Sequence, residues 1–388
     1  MPTWLPLLLG FLTALGPLSI DMYLPAFPAI EAGFGVAKGS AEITLAAWFA
    51  GLAVGQLAQG TLADRLGRRR PLLVGLVIYA VGSVGCAMAP SIEVLSLFRC
   101  IAAFGGSASM VLPRAVVRDI AEGHEAARIM SRLMLVMGAA PILAPSLGGL
   151  MLRLGDWRMI FWFSFAYSLV SLLLVWRLLP ETLPPERRLH LKPAAQLLRY
   201  AQILRDRSFV SHTAMGCAAL FMMFTYVGAS PSVFVGLFGL DPTTFAILFG
   251  VNASCFIACS QFNPALLMRL GAGRLVRLAV RTLLAATLVL AALAFSGTLQ
   301  LATAILPCMV IMGASAFVLP NSAVGALSRQ GGNAGSASAL MGTLQFGVAG
   351  CSGVLLSWLA DGTARPMAAL MVAGALAAVL AERARPVR

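Results

Sequence analysis

The chain has 388 residues, 59% of them hydrophobic and 11% charged, against about 25% charged in an average soluble domain. Such a chain would expose large greasy surfaces in water, which excludes most soluble folds, whereas lipid accepts them if every backbone N–H and C=O is paired internally, in helices or a closed barrel. The net charge of +13 would suit nucleic acid or an anionic surface, and its placement along the chain decides between them.

Apolar runs long enough for a helical crossing, about 20 residues each, occur near residues 4–29, 41–63, 71–90, 93–117, 128–152 and 157–179. Six more follow near 208–236, 243–268, 275–296, 299–324, 334–359 and 365–381. The runs are continuous, not the alternating segments of a barrel. They predict an all-α membrane protein of twelve transmembrane helices: an N-terminal six-helix half over 1–180, a cytoplasmic linker over 181–207 and a C-terminal six-helix half over 208–388. The first run lacks a basic leader and is too long, proline-rich and acidic for a cleaved signal, so it is expected to be the first span.

With the N-terminus inside, most of the 28 Lys and Arg fall in cytoplasmic segments, among them Arg65, Arg68, Arg69, Arg70, Arg187, Arg188, Lys192, Arg199, Arg269, Arg274 and Arg277. The outer segments hold only Lys38, Arg153, Arg158 and Arg365. This is the bias expected when Lys and Arg are retained on the cytoplasmic side. It accounts for the basic balance, and no nucleic-acid partner is expected.

In the first span, LGPLSIDMYLPAFP at residues 15–28 places Asp21 among apolar residues. A carboxylate at mid-membrane costs about 2.5–3.5 kcal/mol, so it is expected to face a watery cavity or a partner. Pro25 cannot donate to the carbonyl of residue 21, nor Pro28 to that of residue 24, which loosens the helix beside the acid. Asp21 lies about eight residues, roughly 12 Å, from the outer end of its span, and Arg99 about six residues, roughly 9 Å, from the outer end of the fourth. Similar depth makes Arg99 the candidate partner. A static ion pair fixing spans one and four is the plain alternative to a proton-exchanging site.

Between the second and third spans, GTLADRLGRRRP (60–71) joins turn-forming Gly60 and Gly67 to Asp64 and the cations Arg65, Arg68, Arg69 and Arg70. By itself this reads as a basic loop that sets topology. The fourth span closes on PRAVVRDI, with Arg118 and Asp119, and the fifth carries MGAAPILAPSLGG (137–149), with Gly138, Pro141, Pro145, Gly148 and Gly149. Small residues of this kind let membrane helices approach closely. In the linker, a short amphipathic helix is expected from Pro193, with Leu197, Leu198, Ile203 and Leu204 on one face and Arg199 and Arg205 toward water or headgroups.

The remaining polar and aromatic residues read less sharply. Seven cysteines lie in apolar runs without CxxC spacing and are expected to pack, and His124, His190 and His212 lack metal spacing, so no metal is expected. Asn252, Gln261, Asn263, Asn321 and Gln345 are either interhelical glue or ligand contacts. Phe221, Met222, Phe224 and Tyr226 form either an aromatic wall or core.

Together SIDMYLP, the Gly60 to Arg70 loop, RAVVRD, APxLxPxLGG, the following WRMIFWF and AGSASALMGTLQF (334–346) resemble the Bcr/CflA drug:proton antiporters of the major facilitator superfamily. The second-half counterpart of the loop, MRLGAGRLVR at 268–277, is degenerate, and Ala144 stands where the fifth-span consensus often has Gly. The resemblance implies two six-helix halves around a central cavity lined by spans one and four. It implies a cytoplasmic latch of Gly60, Asp64, Arg65, Gly67, Arg68 and Arg69 with Arg118 and Asp119, in which Arg68 pairs with Asp119 in the outward-open state. The span-five motif is associated with exporters.

The expected function is proton-coupled efflux of small amphipathic compounds, neutral, zwitterionic or weakly charged; the alternative is proton-coupled transport of a polar metabolite such as an amino acid or sugar. Asp21 and Arg99 are the expected proton-coupling pair, because burial and a nearby guanidinium pull a carboxylate's proton affinity in opposite directions. Candidate substrate contacts are Asp21, Tyr23, Arg99, Met134, Phe221, Phe224, Tyr226, Asn252 and Gln345. The expected partners are the lipid bilayer, a drug or metabolite and protons, with a monomer in the bacterial cytoplasmic membrane, both termini inside and no cofactor. No nucleophile with a base stands within a span, so no enzyme activity is expected.

Overall fold

A computed structural model describes residues 4–121, 123–188, 193–330 and 334–386, and among these residues there is no strand. The helices of the first half are α1 (Leu5–Asp21), α2 (Phe27–Phe34), α3 (Glu42–Leu66), α4 (Arg69–Ala87), α5 (Ile92–Ile120), α6 (Gly123–Leu154) and α7 (Arg158–Leu178). The linker carries α8 (Pro193–Leu204). The second half is α9 (Arg207–Ser230), α10 (Pro242–Phe295), α11 (Leu301–Leu327), α12 (Ala334–Leu359) and α13 (Arg365–Arg383).

Ten described helices are long and apolar enough to cross a membrane, the first running through α1 and α2. The longest, α10, is broken at Gly271, where φ 72° and ψ 155° cannot continue a helix, so it makes two crossings. With α6, which is 32 residues long, the spans among the described residues number twelve. Leu7, Val54, Leu97, Leu306 and Trp358 stand exposed on these helices, a pattern that lipid tolerates and water does not.

The chain clusters into two compact units: residues 1–34 with 47–192, and residues 35–46 with 193–388. In the first unit α4 packs on α5 and α7, and α1 packs on α5 and α6. The approach of α6 to α1 depends on Gly148, where a Cβ would fall 2.0 Å from the Met22 carbonyl oxygen. That is one physical reason for the small residues of the span-five motif.

In the second unit α9 packs on α11, α12 and α13, and α10 on α11 and α13. The start of α3 belongs to this unit, with Ser232 donating to Glu42 at 3.0 Å. Helix α8 corrects one expectation. Ile203 is buried against Phe209, Leu340 and Met341, whereas Leu197, Leu198 and Leu204 are exposed. Residues 198 and 203 are about 140° apart around a helix of 3.6 residues per turn, so the four do not share one face. One side of α8 docks on its unit, and the leucines form a separate exposed strip.

Candidate functional site

The first span is interrupted where its carboxylate stands. Helix α1, with Pro17 inside it, ends at Asp21. A single 3₁₀ turn, Leu24–Ala26, carries Pro25 before α2 begins. Without a proline N–H the ladder cannot run through this stretch, and the backbone tightens to 3₁₀ geometry instead. Asp21 is buried, 6% exposed, and among the described residues no hydrogen bond or ion pair reaches it.

Arg99, on α5, is also buried, at 2% exposure, but it does not pair with Asp21. Its Nη1 donates to the Ser19 carbonyl at 2.9 Å. The guanidinium carbon lies 4.5 Å from the Tyr23 ring centroid, 4.4 Å from Trp48 and 6.0 Å from Phe161. Its Nε and Nη2 have no hydrogen-bond partner. The expected pair is therefore corrected for a simple reason. Arg99 is held by the Ser19 carbonyl of α1 and by Tyr23, just beyond its end, and Asp21, two residues from each, falls on the opposite side of a chain winding at 3.6 residues per turn.

Residues that sequence reasoning did not single out build this cage. Trp48 comes from α3 and Phe161 from α7, and Ser19 Oγ lies 2.6 Å from the Tyr79 hydroxyl of α4. Trp48 and Tyr79 also meet edge to face at 6.4 Å. A buried cation between aromatic faces is stabilised by about 2 kcal/mol or more when desolvated. Two unsatisfied buried donors cost about 1–3 kcal/mol each. The charge is thus held near balance, with free donor capacity inside the protein.

At the other end of this unit, Arg68 joins three elements. Its Nη1 donates to Asp64 of α3 at 2.6 Å, and its Nε and Nη2 donate to Asp119 of α5 at 2.7 and 3.4 Å. Burial alone would lower the Arg68 pKa, but the hydrogen bonds and charges of Asp119 and Asp64 raise it above the usual arginine value. Arg68 is a permanent cation there, not a proton switch. Arg69 Nη2 donates to the Trp176 carbonyl at 2.5 Å. Gly60 and Arg65 have no such role in the described contacts.

Glu181, which motif reading missed, completes the cluster. Its carboxylate accepts from the backbone N–H of Arg68 at 2.7 Å and Arg69 at 3.3 Å, capping the N-terminus of α4. The N–H groups of Thr182 and Leu183 bond the same group. Gly67 is held at φ 92°, and a Cβ there would meet Glu181 Oε2 at 2.3 Å. Only glycine meets both demands. Glu181→Gln, which replaces one acceptor oxygen by a donor, is expected to destabilise the protein by about 1 kcal/mol, as loss of a helix cap does; thermal unfolding of the purified protein measures it.

In the second unit the contacts of Phe221, Met222, Phe224 and Tyr226 are those of packing against neighbouring helices. Phe221 and Met222 turn to Gly374 of α13, Phe224 meets Phe346 of α12 at 6.5 Å, and Tyr226 stacks on Phe249 of α10 at 6.0 Å. Phe221 and Phe224, three residues apart, share one side of α9, whereas Tyr226 lies about 140° or more around the helix from either, so no single face carries all three rings. Gln345 packs at Gly216 and Ser322, well along α9 from Tyr226. Asn321 donates to Asn263 at 2.7 Å, an interhelical bond.

Tyr226 and Asn252 do come together. Both are buried, the side chains interact, and neither the tyrosine hydroxyl nor the Asn252 carbonyl oxygen has a well-formed hydrogen bond. The side chains of Arg118, Met134 and Pro141, and Gly138, lie outside the described residues; Pro145 and Gly148 are buried and Gly149 half-buried.

The profile of the Major Facilitator Superfamily matches residues 9–354. The chain is 35% identical over 97% of its length, and 94% of the relative's, to an uncharacterized MFS-type transporter, YdgK, of Bacillus subtilis (strain 168). It is 28% identical, with coverage of 97% and 94%, to a bicyclomycin resistance protein homolog of Haemophilus influenzae. The xylose transporter XylE from E. coli, in a partially occluded inward open conformation, superposes with a TM-score of 0.74 over 97% of this chain and 96% of its own, at 14% identity. At that identity the likeness is one of fold.

Proposed function

Because the chain belongs to the Major Facilitator Superfamily, we propose that it is a proton-coupled exporter of small amphipathic compounds, working by alternating access in a bacterial cytoplasmic membrane. The observation that carries the reading is Asp21: a buried carboxylate, without an ion-pair partner, at the last residue of an interrupted membrane helix. An acid in that setting is retained against its insertion cost because it does something. The name of the bicyclomycin resistance homolog supports drugs as the cargo.

In this reading a proton taken from outside neutralises Asp21, and Arg99 stays caged on the Ser19 carbonyl. Loss of the proton to the inside leaves an unpaired carboxylate and a cation with two free donors in neighbouring turns of the same unit. Their attraction, strengthened by the low dielectric, reshapes the loosened turn after Asp21 and favours substrate. Proton and substrate then exclude one another, which coupling requires. Tyr226 and Asn252 offer a neutral hydrogen-bonding pair beside an aromatic face, fitting neutral or zwitterionic cargo better than dications. No cofactor enters the scheme, the termini are cytoplasmic and the working unit is a monomer.

The test is growth of a pump-deleted bacterium expressing the protein, across phenicols, bicyclomycin, sulfonamides, tetracyclines and lipophilic cations. Protection against several of these is the expected result. No protection, with saturable transport of one amino acid or sugar in vesicles, would replace the reading by metabolite transport.

A further inference from the structure

Of the seven cysteines, two stand apart from the packing role expected of the set. Cys86, Cys217 and Cys308 are buried, but Cys255 and Cys259 are partly exposed. They lie four residues apart on α10, so their side chains share one face. The facing helix receives both at one residue. A Cβ on Gly313 of α11 would lie 2.9 Å from Cys259 Sγ and 3.6 Å from Cys255 Sγ, so both sulfurs occupy the space that a side chain on Gly313 would take and face the same point of α11. The Cys255 thiol donates to the Met309 carbonyl at 3.4 Å.

The spacing decides what such a pair can do. Cβ atoms at this separation on a helix are about 5–6 Å apart, beyond the roughly 3.5–4.5 Å that a disulfide spans. A direct S–S bond is therefore disfavoured without local unwinding. One atom inserted between the sulfurs removes the mismatch, since two bonds of about 2.3 Å each bridge the distance. Thiolates favour soft centres over hard ones, and the surrounding apolar helices admit neutral, membrane-permeant reagents.

We propose that Cys255 and Cys259 form a dithiol site on α10 for a thiophilic centre that binds two sulfurs, the class to which trivalent arsenicals belong. With phenylarsine oxide, two As–S bonds form, the As=O oxygen leaves as water with the two thiol protons, and arsenic stays trivalent. No oxidant or reductant takes part. The site is independent of Asp21 and of the transport reading.

The experiment uses the reduced full-length protein in detergent, treated with phenylarsine oxide, washed with excess monothiol and weighed intact by mass spectrometry. One retained arsenical per chain is expected, released by 2,3-dimercaptopropanol, with maleimide labelling reduced by two thiols that map to Cys255 and Cys259. Cys255→Ser and Cys259→Ser should each bring the retained adduct from one to none, while Cys351→Ser keeps it. Gly313→Leu, whose side chain would crowd both sulfurs without removing either thiol, should slow its formation severalfold. Should either serine variant fail to fold, thiol mapping on the wild type decides. No retained arsenical, or one mapped to other cysteines, would overturn the proposal.

Discussion

Asp21→Asn is expected to abolish uphill export while leaving a folded protein that still exchanges substrate across the membrane. The side chain is buried and makes no ion pair, so the isosteric amide breaks no partnership, and removing an unpaired buried charge carries no stability penalty. What disappears is the step that the proposed cycle assigns to Asp21, the exchange of a proton for cargo. For one proton per substrate molecule, a ΔpH of one unit sustains a gradient of about tenfold. Everted vesicles with the wild type should approach that ratio and collapse to one when nigericin dissipates ΔpH, whereas the variant should remain at one throughout. Counterflow of labelled against unlabelled substrate needs no net proton movement and should persist in the variant. Uphill accumulation by Asp21→Asn under ΔpH alone would remove Asp21 from the coupling step.

Helices, their number and the position of the acid could be read from the sequence because each rests on local physics: run length against bilayer thickness, proline chemistry, the cost of a buried carboxylate. The Arg68 cluster was legible in part by resemblance, which matched Arg68 to Asp119; the further bond to Asp64 appears only in the structure. Partners contributed from elsewhere in the chain were not. Trp48 and Phe161 look like ordinary residues of apolar spans, and only the packing of α3 and α7 against α5 makes them walls of the Arg99 cage. Glu181 sits in a proline-rich stretch after the sixth span, where nothing in its neighbours announces that it caps α4. The Asp21 to Arg99 pairing failed on rotation, not on depth: the estimate of matching depth left open which way each side chain points, and a two-residue offset on a helix reverses the face. The same geometry separates Ile203 from the exposed leucines of α8.

That cage makes Arg99 the second test, because its energetics separate structure from function. Arg99→Met is expected to unfold within a few degrees of the wild type, yet to lower transport by at least about tenfold, a loss of 1.4 kcal/mol or more in coupling. Methionine fills much of the same space between Tyr23, Trp48 and Phe161, and a polarizable thioether keeps favourable contacts with aromatic rings. It gives up the cation–π attraction and the bond to the Ser19 carbonyl, but it also removes two buried donors that have no partner, and these contributions oppose each other at similar size. Arg99→Lys should not restore activity. An ammonium lacks the planar face that lies over two rings at 4.4 and 4.5 Å and is more strongly hydrated, so it is less readily held in a dry aromatic cage. Thermal unfolding and ΔpH-driven uptake measured on both variants distinguish the cases. Large losses of stability with proportionate losses of transport would make Arg99 a structural tie between α1 and α5, whereas intact stability with lost transport places its charge in the coupling cycle beside Asp21.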